Sequence, residues 1–420
     1  MVGDNANCND RQSHMKTNLP SLKLALICGG IGAEHIGSIE SALWLLSQFR
    51  SDHRIGFFYQ HPDGRLAESA ELLALFESWA VHPYIKAWID PAGAENCRSV
   101  FRRAVTWPGS AWASLTGGDW DLVWPAFHGH GGEDGSFQGL CECLDLPYAG
   151  CGIAASVVCV DKIKTKAILR VSGLPVLPEV TLEDWQLGSP DTISYLVEQA
   201  AALADKDETD LDSITRISSS LSDRILESEA RFGYPVFVKP ASLGSSLGVV
   251  KAATRQALAN ALVQSLILDR RAMVEPQCNW PEYGIGLCGL DEPQASLVVG
   301  YALNPDFFDY EAKFGAQAQD DAIPANLNPA QTRQLQELAV AAWHALGLEG
   351  CARVDCFWDN GQMAINEINT MPGFGVHSVY AQAFAKAGLP TAEFLDRIVA
   401  AGLERHRRRN SLIISFKDRL

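Results

Sequence analysis

The chain has 420 residues, longer than the roughly 250 to 300 at which one hydrophobic core stops growing, so two or three packed units are expected. Apolar residues make up 47% and charged residues 20%, a balance that excludes a mainly disordered chain. A formal net charge of -16 opposes sequence-independent binding to nucleic-acid phosphates, so no nucleic-acid partner is expected and any anionic ligand needs a local basic site.

Residues 1 to 22 are rich in Asn, Asp and Ser and read as a disordered leader without an apolar signal core. From Leu22 to Cys28 runs a near-continuous apolar strand. Gly29-Gly30-Ile31-Gly32 then turns the chain, and Ile39, Leu43, Leu46 and Phe49 recur at helical spacing. Further strands at Arg54 to Tyr59 and Asp121 to Phe127 complete an N-terminal α/β unit over 23–150. A helix is expected over 154–172, stopped by Gly173-Leu174-Pro175. The acidic stretch from Asp205 to Ser228 has no strong period and reads as a solvated insertion or loose helix. Strands at Val236 to Lys239, Gly248 to Lys251, Ala272 to Glu275 and Ser296 to Leu303 follow, with a helix at Arg255 to Leu268. A central small domain over 151–252 and a C-terminal mixed-sheet domain over 253–406 are therefore expected, then a basic tail over 407–420. In the last domain Gln331 to Leu346 is an amphipathic helix, and Ala352 to Trp358 and Gln362 to Ile368 flank the hairpin signal Asp359-Asn360-Gly361.

No apolar run approaches the roughly 20 residues of a membrane helix, and eleven cysteines lack any C-x-x-C pair, which together point to a reduced, cytoplasmic setting without membrane contact.

Three segments carry candidate chemistry. On the final hairpin, Arg353 and Asp355 share one strand face and Glu367 and Asn369 share another. Diagonal pairing can gather two carboxylates and an amide, hard oxygen ligands suited to magnesium; the plain alternative is a solvated hairpin face. A second segment, from Val238 to Gly248, sets Lys239 at a strand end before a Gly-Ser loop holding Ser245 and Ser246. Such loops turn N–H groups and hydroxyls toward an anion, although many are ordinary turns. The third, from Phe127 to Gly135, follows a buried strand and opens a helix at Ser136, where α/β ligands gather, or is simply a helix entry in which Glu133 and Asp134 suit the dipole. His128 and His130 lack a third ligand of suitable spacing for zinc.

In chain order GGIGAEH at 29–35, HGHGGEDGSFQG at 128–139, PYAGCG at 147–152, DKIKTK at 161–166, VKPASLGSSLGV at 238–249, FFDYEAKF at 307–314, ARVD at 352–355 and NEINTMPGFGVHS at 366–378 resemble the D-alanine:D-alanine ligase family. The resemblance runs from about Leu22 to Glu404 and implies an ATP-grasp fold, α/β with α+β units. It implies ATP with magnesium, or manganese, and two metal ions held by Asp355, Glu367 and Asn369. Lys162, Lys239, Ser245, Ser246 and Lys313 resemble the phosphate contacts, and Glu275 and Glu282 the adenine-hinge and ribose contacts. Glu34 resembles the group that binds the first substrate's ammonium, with His128 beside it, and Ser245 also resembles the hydroxyl placed beside the reacting centre. Arg353 and the N–H of Gly373 resemble the oxyanion donors, and Ser378 the holder of the second substrate's carboxylate. Family members are commonly homodimers.

The chain departs from the family pattern at four places: Ile36, Leu243, the hinge Pro276-Gln277-Cys278, and Phe314 in place of a tyrosine. The implied reaction joins two D-alanines for peptidoglycan precursors. Phe314 raises the alternative of a D-hydroxy acid such as D-lactate, or another D-amino acid, as second substrate. An inactive ATP-binding regulator on the same fold is the alternative from another class.

Overall fold

A computed structural model describes residues 19–32, 34–68, 110–187, 218–302, 321–375 and 378–412. Residues 1–18 of the leader, 205–217 of the acidic stretch and 413–420 of the tail lie outside the described residues, as do Lys313 and Phe314, whereas Leu22, at the end of the expected leader, is buried in the N-terminal core with Leu19 packed against it.

Among the described residues, three four-stranded sheets organise the chain. The first has the order β3-β2-β1-β4, with β1 at Lys23–Gly29, β2 at Arg54–Gln60, β3 at Leu66–Glu68 and β4 at Leu122–Pro125. Strand β1 runs parallel to β2 and β4, which the intervening helices α1 (His35–Gln48) and α2 (Ser110–Gly117) make possible. Leu24 through Cys28 are fully buried, the near-continuous apolar run of a strand covered on both faces. Helix α3 (Ser136–Cys143) opens where the sequence predicts it.

The helix expected over 154–172 is two helices, α4 (Ile153–Val160) and α5 (Lys162–Val171). Asp161 breaks it: its backbone is extended, with φ -93° and ψ 98°, and its carboxylate accepts from the N–H groups of Ile163 and Lys164 as the N-cap of α5. The described end of the stretch expected to be an insertion or loose helix is regular helix. Ser218 caps α6 (Ser219–Phe232), which buries Leu221, Ile225 and Ser228 at helical spacing.

The second sheet, β5-β8-β6-β7, combines β5 (Val180–Glu183), β6 (Val236–Pro240), β7 (Val250–Ala252) and β8 (Arg271–Pro276). Helix α7 (Arg255–Leu268) is capped by Thr254 and buries Leu258, Leu262 and Leu266 in the same core as Val236, Val238 and Val274. This sheet thus draws on chain beyond residue 252. The third sheet, β10-β9-β11-β12, is antiparallel throughout: β9 Glu282–Gly289, β10 Gln294–Gly300, β11 Gly350–Asp359, β12 Gln362–Asn369. Helix α8 (Pro329–Leu346) begins with a capping box at Asn328 and packs Leu335, Ala339 and Trp343 in one core with Val354 and Cys356 of β11. Helices α9 (Val379–Lys386) and α10 (Thr391–Asn410) close the fold. Arg407 to Arg409, read as part of a tail, form the last turn of α10 and pair with Glu404, Asp291 and Glu142.

The N- and C-terminal regions share one core. Phe374, 1% exposed, packs against Trp44, Trp124, Tyr380 and Phe394 with ring centroids 5.7 to 6.3 Å apart. It anchors the loop after β12 that bears Gly373. Phe374→Ala should cost about 3 to 5 kcal/mol, the range for emptying a large aromatic site, measured as a lowered urea midpoint. A shift below about 1 kcal/mol would mean the loop is not held by this ring.

Candidate active site

On the β11–β12 hairpin Arg353 stands opposite Asn369 and Asp355 opposite Glu367. The carboxylates are direct cross-strand partners rather than diagonal ones. A bulge follows at once, because Cys356 pairs with Ile365 and leaves Asn366 over. That extra residue opens the motif at 366–378 but has no role assigned from the sequence, yet it joins the site: its amide donates to Glu282 Oε1 at 2.7 Å and its oxygen lies 3.3 Å from Lys239 Nζ. Asp355 is 2% exposed. Its carboxylate takes Arg353 Nη2 at 2.7 Å and Nε at 2.8 Å, the Tyr301 hydroxyl at 2.7 Å and the Asn369 amide at 3.3 Å.

Two strand ends and α5 bring the basic groups in. Lys239 on β6 lies 2.7 Å from Glu275 Oε2 on β8, and Lys166 of α5, fully buried, pairs with the other oxygen. Lys166 also donates to the Leu177 carbonyl at 3.1 Å. Glu275, expected at the adenine hinge, is therefore anchored by two lysines, of which sequence reasoning singled out only Lys239. Lys162 is aimed by the cap just before it. Its backbone donates to Ala241 O at 2.9 Å, and its ammonium reaches Leu243 O at 2.6 Å and Glu367 Oε2 at 3.8 Å. Asp161 ties this helix start to β8 through Arg271.

The Gly-Ser loop between β6 and β7 holds Ser245 and Ser246 at φ 51° and 57°, a left-handed backbone that is strained for residues with a Cβ. The Ser245 hydroxyl donates to Glu34, which stands just before α1. Gly129, at φ +64°, is required here, since a Cβ on it would lie 2.2 Å from Glu34 Oε2. Three segments far apart in sequence thus meet at one carboxylate. The third motif is more than a helix entry. His128 Nε2 lies 2.7 Å from Ser41 Oγ, and the same hydroxyl oxygen accepts from Phe374 N at 3.1 Å, linking the loop to Gly373. Glu133 accepts from Gly129 N at 2.9 Å. Burial, and then the Glu34 carboxylate, push the Glu133 pKa up to about 8. The Ser378 hydroxyl donates to the Gly373 carbonyl, so these two expected site residues also meet.

Hard oxygen donors from Asp355 and Glu367, with Asn369 beside them and Lys162 close by, fit a magnesium ion carrying phosphate oxygens.

Among solved structures, the chain is similar to the D-alanine–D-alanine ligase from Coxiella burnetii, with a TM-score of 0.68 and 26% identity over 95% of this chain and 100% of that one. It is also similar to the VanG D-Ala:D-Ser ligase from Enterococcus faecalis, with a TM-score of 0.70 and 25% identity over 91% of this chain and 100% of that one. Fold and site define an ATP-dependent carboxylate–amine ligase with the ATP-grasp fold. The family described as D-ala D-ala ligase N-terminus matches residues 23–151, and that described as D-ala D-ala ligase C-terminus matches residues 210–400. The D-alanine–D-alanine ligase of Geobacillus kaustophilus is 32% identical over 94% of this chain and 98% of its own length. That of Heliobacterium modesticaldum is 37% identical over 68% of this chain and 71% of its own length. The chain belongs to the D-alanine–D-alanine ligase family. These relatives do not favour the depsipeptide-forming or the inactive-regulator alternative. Among the described residues no helix is long and apolar enough to cross a membrane.

Glu133 makes stability depend on pH. Its pKa is raised on folding, so the folded chain keeps a proton that the unfolded chain gives up near the ordinary value of 4.5. That contribution is full below about pH 4.5 and is lost as pH rises toward about 8. In Glu133→Gln the urea midpoint should fall less between pH 5 and 8 than in the parent, by at least ~0.5 kcal/mol equivalent. Parallel pH profiles would remove Glu133 as the cause.

Proposed function

We propose that the protein phosphorylates the carboxylate of one D-alanine with ATP and couples it to the amine of a second, supplying a peptidoglycan precursor. The observation that carries this is the convergence of Asp355 and Glu367 with Lys162, while Lys239 and Glu282 meet at Asn366, in a chain of this family. Magnesium bound at Asp355, Glu367 and Asn369 would supply charge neutralisation for the phosphates. Lys162, Lys239 and the N–H groups of the Gly-Ser loop hold and orient the phosphates, which suits in-line transfer, where positioning and charge do most of the work.

Glu34 receives the ammonium of the first D-alanine, and Ser245 on the same carboxylate keeps it aimed. The acyl phosphate then loses phosphate as the second amine, having shed its extra proton, forms the peptide bond. Arg353 spends Nε and Nη2 on Asp355, so its Nη1 donors remain for the oxyanion together with the N–H of Gly373. Ser378 meets the second substrate's carboxylate. Lys313 stands with these as a further phosphate contact on resemblance alone. A cytoplasmic homodimer is part of the same proposal, on the same family ground.

Asp355→Ala and Glu367→Ala should each lose turnover by at least about a hundredfold, with far-ultraviolet circular dichroism unchanged. Near-parent rates in both would end the metal assignment. Arg353→Lys should lose at least roughly tenfold in kcat/KM, ~1.4 kcal/mol, because a point charge cannot replace the planar donor fork. An unchanged value would take Arg353 out of the reaction. The overall reading is tested by mass analysis of products after incubation with ATP, magnesium, D-alanine and a panel including D-serine and D-lactate. D-alanyl-D-alanine as main product is expected; absence of any D-alanine-dependent product would overturn it.

A further inference from the structure

Tyr301 lies outside every motif that carried the sequence reading, yet its hydroxyl donates to Asp355 Oδ1 at 2.7 Å. The contact is built rather than incidental. Strand register sets Gly284 of β9 beside Asp355 of β11. A Cβ on Gly284 would lie 2.3 Å from the Tyr301 hydroxyl oxygen, 2.9 Å from its ring and 3.2 Å from Asp355 Oδ1, so only glycine leaves the slot in which the two groups meet. The backbone around Tyr301 is also fixed. Its N–H donates to Glu282 O at 3.1 Å, Ala302 N to Asp321 Oδ1 at 3.1 Å, and Gly300 and Ala322 exchange N–H bonds at 3.0 and 2.9 Å.

The two oxygens of Asp355 are held unequally. Oδ1 takes both Tyr301 and Arg353 Nε, at 2.7 and 2.8 Å, which fills its two lone-pair directions. Oδ2 takes one short bond, from Arg353 Nη2 at 2.7 Å, and two longer contacts, from the shared Arg353 Nε at 3.1 Å and from Asn369 at 3.3 Å, the last a weak and replaceable partner. We propose that Tyr301 is a positioning residue for the metal site: by holding Oδ1 it fixes the rotation of the Asp355 carboxylate and presents Oδ2, the oxygen beside Asn369, to the cation. A neutral donor suits this task, because a second cation on Oδ1 would compete with the metal for the same charge. Hydrogen-bond partners that orient ligands in this way typically contribute about 10- to 100-fold to metal affinity. The inference rests on the metal assignment of Asp355, and its test separates the two.

Mn2+ titrations of the full chain, saturated with a non-hydrolysable ATP analogue and followed by electron paramagnetic resonance of free Mn2+, would compare the parent with Tyr301→Phe, Gly284→Ala and Asp355→Asn. Tyr301→Phe keeps the ring and removes only the hydroxyl, so thermal unfolding should move little. Its Mn2+ affinity should fall roughly tenfold, while KM for D-alanine stays within about twofold. Gly284→Ala, which expels the hydroxyl from its slot, should match it, and the double variant should be no worse than either single one. Parent-like Mn2+ affinity in Tyr301→Phe, with affinity lost in Asp355→Asn, would overturn the role of Tyr301 alone. Parent-like affinity in both would overturn it together with the metal assignment. An equal loss for Mn2+ and D-alanine in Tyr301→Phe would reduce the residue to a general structural contact and overturn it as well.

Discussion

The pairing register of β9, β11 and β12 is the constraint on which the site depends. Alternate residues of β11 face opposite ways, so a slip of one residue would bury Asp355 and Arg353 in the α8 core and expose Val354 and Cys356. Those two residues are fully buried with Leu335, Ala339 and Trp343, and their burial makes the slip unfavourable. The hydrophobic effect on one face of the sheet therefore aims the charges on the other. The same register places Gly284 beside Asp355 and Asn369 beside Arg353.

Buried charge here is compensated by opposite charge. Glu275 carries one negative charge against Lys166 and Lys239. A buried anion needs such partners, since an unpaired one is strongly destabilising. Lys162, at the start of the helix that carries Lys166, adds a further ammonium at the Gly-Ser loop, a local basic group suited to polyphosphate in a chain whose net charge is -16. On the substrate side the balance reverses, with Glu34 and Glu133 close enough that one raises the pKa of the other.

Much of this was legible because it is local. Helix α7 occupies the predicted Arg255 to Leu268 span behind its Thr254 cap, and the Asn360-Gly361 turn has the two positive φ values, 47° and 88°, that such a pair supplies. The break at Asp161 was missed, although an aspartate directly before a helical run is itself a cap signal. Strand β9 was missed for a different reason. Gly284, Gly286 and Gly289 remove the side chains that a period-two pattern needs, and the cause lies across the fold: Tyr301 occupies the space over Gly284, and Tyr380 that over Gly286.

The sequence by itself determined the family resemblance, the helices and hairpins with local signals, and the chemical types of the groups that would bind phosphate, metal and amino acid, because caps, turns and motif spacing act over a few residues. Only the tertiary structure decided that Asp355 and Glu367 face each other directly, that Asn366 enters through a bulge, that Lys166 holds Glu275 across 109 positions, and that Tyr301 reaches Asp355 across 54. Such contacts follow from how sheets and helices bury their apolar faces against one another, and no window of neighbouring residues contains that information.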